Sequence, residues 1–357
     1  MKLLINFIRI TTAITFIFSG FVKMIDPVGT QIKMLEYFGD DVLNLSFLNP
    51  YALGISIFMI LLEFGLGIWL LIGYKPKFTL KALLVLILFF LFLTGYSAIF
   101  NKVTDCGCFG DAVKLTPWET FYKNIILLGF ILFLEWKKEY ITPIFPKNWT
   151  TALAHSSILL SLLLMIYTVK HLPLIDFRPY AIGKNIKNGM QIPEDAPRAE
   201  FRDIWYYKVN GEIKEFSNED EPWNIPGAEF VDRKTITLSE GYTPPIHDFS
   251  IENDTEGDIT EPVLSEPEIY LIVSSNPYKI NSKAQKSINE YATKLQQENK
   301  KVIGLFSVTD EALQQQFVFP LYLTDETTLK TMIRSNPGVI KLENGTVKDK
   351  KAWRDLD

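Results

Sequence analysis

Runs of about twenty apolar residues, the length a helix needs to cross a bilayer, recur five times before Pro173 and then stop. Residues 3–22 are interrupted by Asn6 and Arg9, residues 50–74 are charged only at Glu63, and residues 82–100 carry no charge. In residues 118–136, Glu119 and Lys123 confine the uncharged centre to residues 124–134, which makes this the weakest run; residues 150–169 hold only His155. The pattern predicts five transmembrane helices: four within residues 1–140 and a fifth over residues 150–172. A cleaved leader is the alternative for the first run, but Arg9 breaks its apolar region and no A-x-A-like site follows.

Past Pro173 the periodicity becomes that of a water-soluble fold. Residues 173–200, broken by Pro173, Pro179, Pro193 and Pro197, read as a linker. Residues 201–250 read as β-rich: a hairpin over residues 204–216 turning at Asn210-Gly211, then a strand over residues 230–238. From residue 265 the order is strand (269–273), helix (282–297) and strand (302–308), the strands parallel by the usual crossover rule. A strand at 319–323, a helix at 326–333 and a strand at 338–342 turning through Asn344-Gly345 complete an α/β pattern.

Charge separates the same two halves. Residues 1–172 hold 14 Lys+Arg against 10 Asp+Glu, a net of +4, so the total of −5 leaves −9 for the remainder. Lys75, Lys77 and Lys81 lie in one short connection, and Lys137, Lys138 and Lys147 in another. The positive-inside rule makes both connections cytoplasmic, and with them the N-terminus. The expectation is therefore a multi-pass protein of the cytoplasmic (inner) membrane with a periplasmic, extracytoplasmic C-terminal domain. No stretch is basic and interleaved with aromatics, which excludes a nucleic-acid surface. Broken, inverted repeats of the kind carriers use are also lacking.

Both cysteines of the chain, Cys106 and Cys108, flank Gly107 in the connection between the third and fourth runs. Chance would place two cysteines this close in about 1% of such chains. On the extracytoplasmic side, disulfides persist. Gly107 supplies the freedom to bend, and a ring this small is strained and readily exchanged. The readings are a thiol-redox pair, a structural bond, or free or metal-binding thiols. His155, His171 and His247 show no ligand spacing with the pair, so no metal is assigned.

The stretches FSGFVKMIDP (residues 18–27), LLEFGLGIWLLIG (residues 61–73) and DCGCFGD (residues 105–111) resemble the DoxX/DoxD and MauE group of small membrane proteins. MauE is an accessory protein of methylamine utilisation. The resemblance implies a four-helix bundle distantly similar to vitamin K epoxide reductase, and a role in extracytoplasmic thiol redox or in maturing a secreted, disulfide-rich partner. That reductase uses a C-x-x-C pair relayed by a second pair, and neither is present here. SNPGVIKLENGTV (residues 335–347) resembles the cis-proline loop and final hairpin of a thioredoxin-like domain, with Pro337 as that proline. The first strand of this domain leads into Ser274-Ser275-Asn276-Pro277, so catalytic cysteines are missing from it.

Other polar residues of the bundle carry expectations too. An isolated carboxylate inside a span is a functional-site hypothesis. Glu63 lies roughly 16 Å and Arg9 roughly 9 Å from the cytoplasmic end, so the two pair if their helices are neighbours. Glu63 then either fixes packing or serves as a proton or quinone-headgroup contact. Lys23 and Asp26, one turn apart, read as an exposed ion pair or as groups that tune thiol acidity, with Asp105 and Asp111 opposing thiolate formation. The resulting expectation is a membrane α-helical bundle followed by a soluble thioredoxin-like domain. It acts as an accessory protein, thiol-disulfide oxidoreductase-like, through Cys106 and Cys108 on an extracytoplasmic client. No cofactor motif is visible, and a quinone in the bilayer is the acceptor this location allows. The rival expectation is a non-catalytic anchor or assembly subunit whose C-terminal domain binds a partner.

Overall fold

A computed structural model describes residues 1–103, 107–113, 115–239, 241–253 and 255–356. The N-terminal part is a helical bundle of α1 (Lys2–Ile25), α2 (Pro27–Phe38), α3 (Ala52–Ile72), α4 (Pro76–Phe100), α5 (Pro117–Trp136) and α6 (Lys147–Lys170). Among the described residues, four helical stretches are long and apolar enough to cross a membrane: Lys2–Ile25, Ser46–Ile72, Pro76–Phe100 and Lys147–Lys170. The run expected over residues 118–136 is helical but falls outside that group, because Glu119, Lys123 and Glu135 dilute its apolar character. It nevertheless lies along α4, antiparallel: Asn124 faces Thr94, and Leu127, Ile131 and Leu134 share a core with Leu80, Leu83 and Ile87. Phe7, Ile14, Phe58, Val85 and Phe92 stay exposed, as a lipid-facing surface requires.

Helix α2 falls where a loop was expected. Its start was written in Asp26-Pro27: the Asp26 carboxylate accepts from Gly29 N–H at 2.9 Å, and Pro27 needs no N–H in the first turn. Met34, Tyr37 and Phe38 then bury one face of this short helix.

The C-terminal part contains α7 (Ile186–Met190), β1 (Glu200–Val209), β2 (Glu212–Phe216), β3 (Glu229–Ser239), β4 (Glu252–Asn253), β5 (Gly257–Asp258), α8 (Thr260–Leu264) and β6 (Ile269–Ser274). It continues through α9 (Ser282–Gln297), β7 (Lys301–Phe306), α10 (Glu311–Gln314), β8 (Leu321–Leu323), α11 (Glu326–Met332), β9 (Gly338–Glu343) and β10 (Thr346–Ala352). The main sheet has the order β10-β9-β6-β7-β8-β4-β5. Strands β6, β7 and β8 are parallel, with Leu271 opposite Ile303, and β9 runs antiparallel to β6. Side chains alternate across β6. Leu271 and Val273 join Leu329, Met332 and Tyr180 on one side, and Ile272 joins Ala284, Ile288 and Ala292 of α9 on the other.

Strands β2-β1-β3 form a separate antiparallel sheet. Asn210 at φ 55° and Gly211 at φ 88° close its hairpin, both in the left-handed region that a tight two-residue turn needs. Residues 173–200 are not a free linker. Tyr180 and Ile186 are buried in the main core, and residues 183–186 pair with the edge of β10 through Gly183 N–H to Val347 O at 2.8 Å. Apolar side chains between the prolines decided this, since burying them outweighs the looseness that prolines confer locally.

Candidate functional site

The site begins with two glycines that let α1 and α3 touch. A Cβ on Gly20 would stand 2.7 Å from the Phe64 backbone nitrogen, and one on Gly67 would stand 2.9 Å from that of Ile17. This close approach sets Ser19 and Lys23, one turn apart on α1, against Glu63 midway along α3. Lys23 Nζ lies 2.8 Å from Glu63 Oε2 and 3.0 Å from Oε1, and it also donates to Ser19 Oγ at 3.0 Å. All three residues are buried, Glu63 to 3% exposure, and the ammonium stands 5.4 Å from the centre of the Phe90 ring.

Ser19 couples this ion pair to the cysteine loop. Its Oγ lies 2.5 Å from Glu63 Oε1 and 2.5 Å from the Cys108 carbonyl oxygen, so one hydroxyl hydrogen faces two acceptors. The loop is therefore held against the bundle interior by its backbone. Phe109 packs on Phe18 with ring centres 5.4 Å apart, and Lys123 Nζ sits 4.4 Å over the Phe109 ring. Gly110, at φ 51°, is needed twice over, because a Cβ there would also come within 3.0 Å of Val22.

Above the loop lies the C-terminal domain. Arg334, two residues past the end of α11, donates through Nε to Asp26 Oδ2 at 2.7 Å and through Nη2 to Asp111 Oδ2 at 3.2 Å. One guanidinium thus ties the domain both to the α1–α2 junction and to the cysteine loop. Gly29 makes room for it: a Cβ there would be 2.7 Å from Asp26 Oδ2 and 3.1 Å from Arg334 Nη2. A second tie joins His171 Nδ1 at the end of α6 to Asp355 Oδ1 at 2.5 Å. Between the two parts is a cavity of about 460 Å³. Gly107, Gly110, Asp111 and Lys33 line it from the bundle, and Phe177, Thr331 and Arg334 from the domain.

Of the residues singled out in the sequence, Lys23, Glu63, Gly107, Cys108 and Asp111 converge on this region, while Asp105 and Cys106 lie outside the described residues. The expected Arg9–Glu63 pair does not form. Arg9 sits at the far end of the bundle, donating to Leu70 O at 2.9 Å, Leu71 O at 2.8 Å and Thr142 O at 3.2 Å. The last carbonyls of α3 lack partners within the helix, and a cation at that end satisfies them. Nor do Lys23 and Asp26 pair with each other. The carboxylate of Glu63 captures Lys23, and Arg334 captures Asp26.

Pro337 follows a cis Asn336–Pro337 bond. The Asn336 side chain accepts from Ser274 Oγ at 2.6 Å and donates to Asn276 O at 2.8 Å. Ser19 and Arg334 went unnoticed in the sequence. A serine one turn before Lys23 was the available signal for the first. For the second there was none, because its partners are remote in the chain.

These features define the class: a multi-pass membrane protein whose helical bundle carries a mixed α/β domain docked over an internal cysteine loop. Residues 1–137 match the family model described as methylamine utilisation protein MauE, a span that takes in α1 through α5. The match supports the MauE side of the resemblance and leaves the DoxX side unsupported. No curated protein and no solved structure matches the chain.

Proposed function

We propose that this protein is a membrane accessory protein in which the Cys106/Cys108 pair exchanges disulfides with a protein client. In that exchange one S–S bond breaks as another forms, so no other reactant is required for the step itself. The observation that carries the reading is the cavity between the cysteine loop and the C-terminal domain, whose floor is pinned through the Cys108 carbonyl to buried Ser19. The sheet order β7-β6-β9-β10, with β6 and β7 joined through α9, favours a thioredoxin-like reading of the C-terminal domain. Without cysteines of its own, that domain positions a client rather than reacting with it. Six lysines at the far end of the bundle favour a cytoplasmic placement of that end. The position of α5 alongside α4 favours a fifth crossing. A quinone in the bilayer is the electron acceptor in this proposal.

The test is trapping. Cys106→Ser and Cys108→Ser variants, expressed in the native host and quenched with acid, should each accumulate a mixed disulfide with the same client or lose client maturation. If neither variant forms an adduct and maturation proceeds as in the wild type, the anchor or assembly reading replaces this one.

A further inference from the structure

Just past Lys170, the last residue of α6, the chain lines a second cavity of about 390 Å³. Its rim is apolar: Leu174 is 57% exposed and Ile182 59%, with Ile175 beside them. At its base are Asp176, Arg178 and Lys350. Arg178 donates to Asp176 through Nε at 2.7 Å and Nη2 at 2.9 Å, and to Thr331 O through Nη1 at 2.9 Å. Lys350 donates to Asp176 Oδ2 at 2.7 Å and to Tyr180 O at 3.2 Å. Among the described residues its third N–H has no acceptor. Both cationic side chains are only 3% exposed, yet one carboxylate serves the two of them. Asp26 and Asp111 pair with Arg334 and form no ion pair with Lys350 or Arg178.

Two buried cations on one carboxylate leave a positive excess where water cannot screen it. Burial and the neighbouring Arg178 push the Lys350 ammonium down to about 8 against the pull of Asp176, so it is short of negative charge. The rim marks where that charge comes from. A soluble anion has no use for Leu174, Ile175 and Ile182, and these residues directly follow a helix long and apolar enough to cross a membrane. Tyr167, stacked on His171 with ring centres 4.6 Å apart, is an aromatic side chain of the kind that sits at headgroup level. We propose that this cavity binds the phosphate of an anionic phospholipid, with Lys350 and Arg178 facing the phosphate and Leu174, Ile175 and Ile182 against its glycerol and upper acyl chain.

The test uses the full-length protein in mild detergent, titrated with phosphatidylglycerol, phosphatidylcholine or inorganic phosphate, with bound lipid counted by native mass spectrometry and stability read by thermal unfolding. Phosphatidylglycerol should bind and stabilise at least tenfold more tightly than phosphatidylcholine, and inorganic phosphate should do neither. Lys350→Gln should abolish the preference. Leu174→Ser with Ile182→Ser, at exposed positions outside the buried network, should weaken phosphatidylglycerol binding at least fivefold. Equal binding of the two lipids, or phosphatidylglycerol binding that is not weakened in the rim variant, overturns the proposal. Stabilisation by inorganic phosphate equal to that by phosphatidylglycerol overturns the lipid as its source.

Discussion

Removing Lys23 should be among the most damaging single changes in the bundle. Its ammonium stands 2.8 Å from Glu63 Oε2 in a site where both side chains are under a tenth exposed. At an effective dielectric of 20, two unit charges at that separation attract by about 6 kcal/mol, and desolvation offsets much of this. What Lys23→Met leaves behind is a carboxylate midway along a membrane helix, with Ser19 as its remaining side-chain donor. Breaking one side of a buried pair typically costs about 3–5 kcal/mol, and that is the expected loss. The double variant Lys23→Met, Glu63→Leu removes both charges and should lose no more than about 2 kcal/mol, because no charge remains to be solvated. Unfolding of purified protein by sodium dodecyl sulfate in mixed micelles, followed by tryptophan fluorescence, measures these two variants and Glu63→Leu alone. Single-variant losses that add to the double-variant loss within about 0.5 kcal/mol would mean the two residues do not interact, and the ion pair would have to be abandoned.

Arg334→Ala should release the C-terminal domain from Asp26 and Asp111, raising hydrogen exchange across residues 26–33 and 107–111; Gly29→Ala should do the same, since its Cβ would collide with the Asp26 carboxylate. Unchanged exchange in both would show that Arg334 is not the tie. Arg9→Leu should destabilise the bundle by about 1–3 kcal/mol by taking the guanidinium from the Leu71 carbonyl and leaving the Leu70 carbonyl with the Gly73 N–H alone, and Arg9→Lys should recover only part, because an ammonium lacks the planar fork that spans them; full recovery in the unfolding assay would refute this. Lys350 titrates at about 8 in the folded protein against 10.5 in the unfolded chain. The unfolded state therefore holds the extra proton between those values, and stability should rise with pH across that window by up to about 3 kcal/mol. The stability-versus-pH curve of Lys350→Gln should be flatter there, and an equal slope in both proteins would contradict the assignment.

Period and punctuation in the chain were enough to locate most elements. The helix over Ser282–Gln297 was legible because Ala284, Ile288, Ala292 and Leu295 repeat at helical spacing, and the hairpin was legible because Asn210-Gly211 permits few other turns. Such signals are local, each set by residues within a turn or two of one another. Helix α2 was missed because it is short and only half apolar, though Asp26-Pro27 announced it.

Which polar groups meet inside the bundle is a different kind of fact. Depth along a helix can be counted from sequence, but not how far one helix is shifted along its neighbour. Depth alone suggested Arg9 for Glu63. In the fold, α1 ends midway along α3, so Lys23 reaches Glu63 and Arg9 is left to cap the end of α3. Gly20 and Gly67 set that approach, and neither encodes its partner. Arg334 on Asp26 and Asp111, and Lys350 on Asp176, join residues 174 to 308 positions apart, whose meeting depends on how the C-terminal domain packs. Charge pairing over such separations is decided by tertiary packing, because burial makes an unpaired charge costly and selects whichever partner the fold brings within reach.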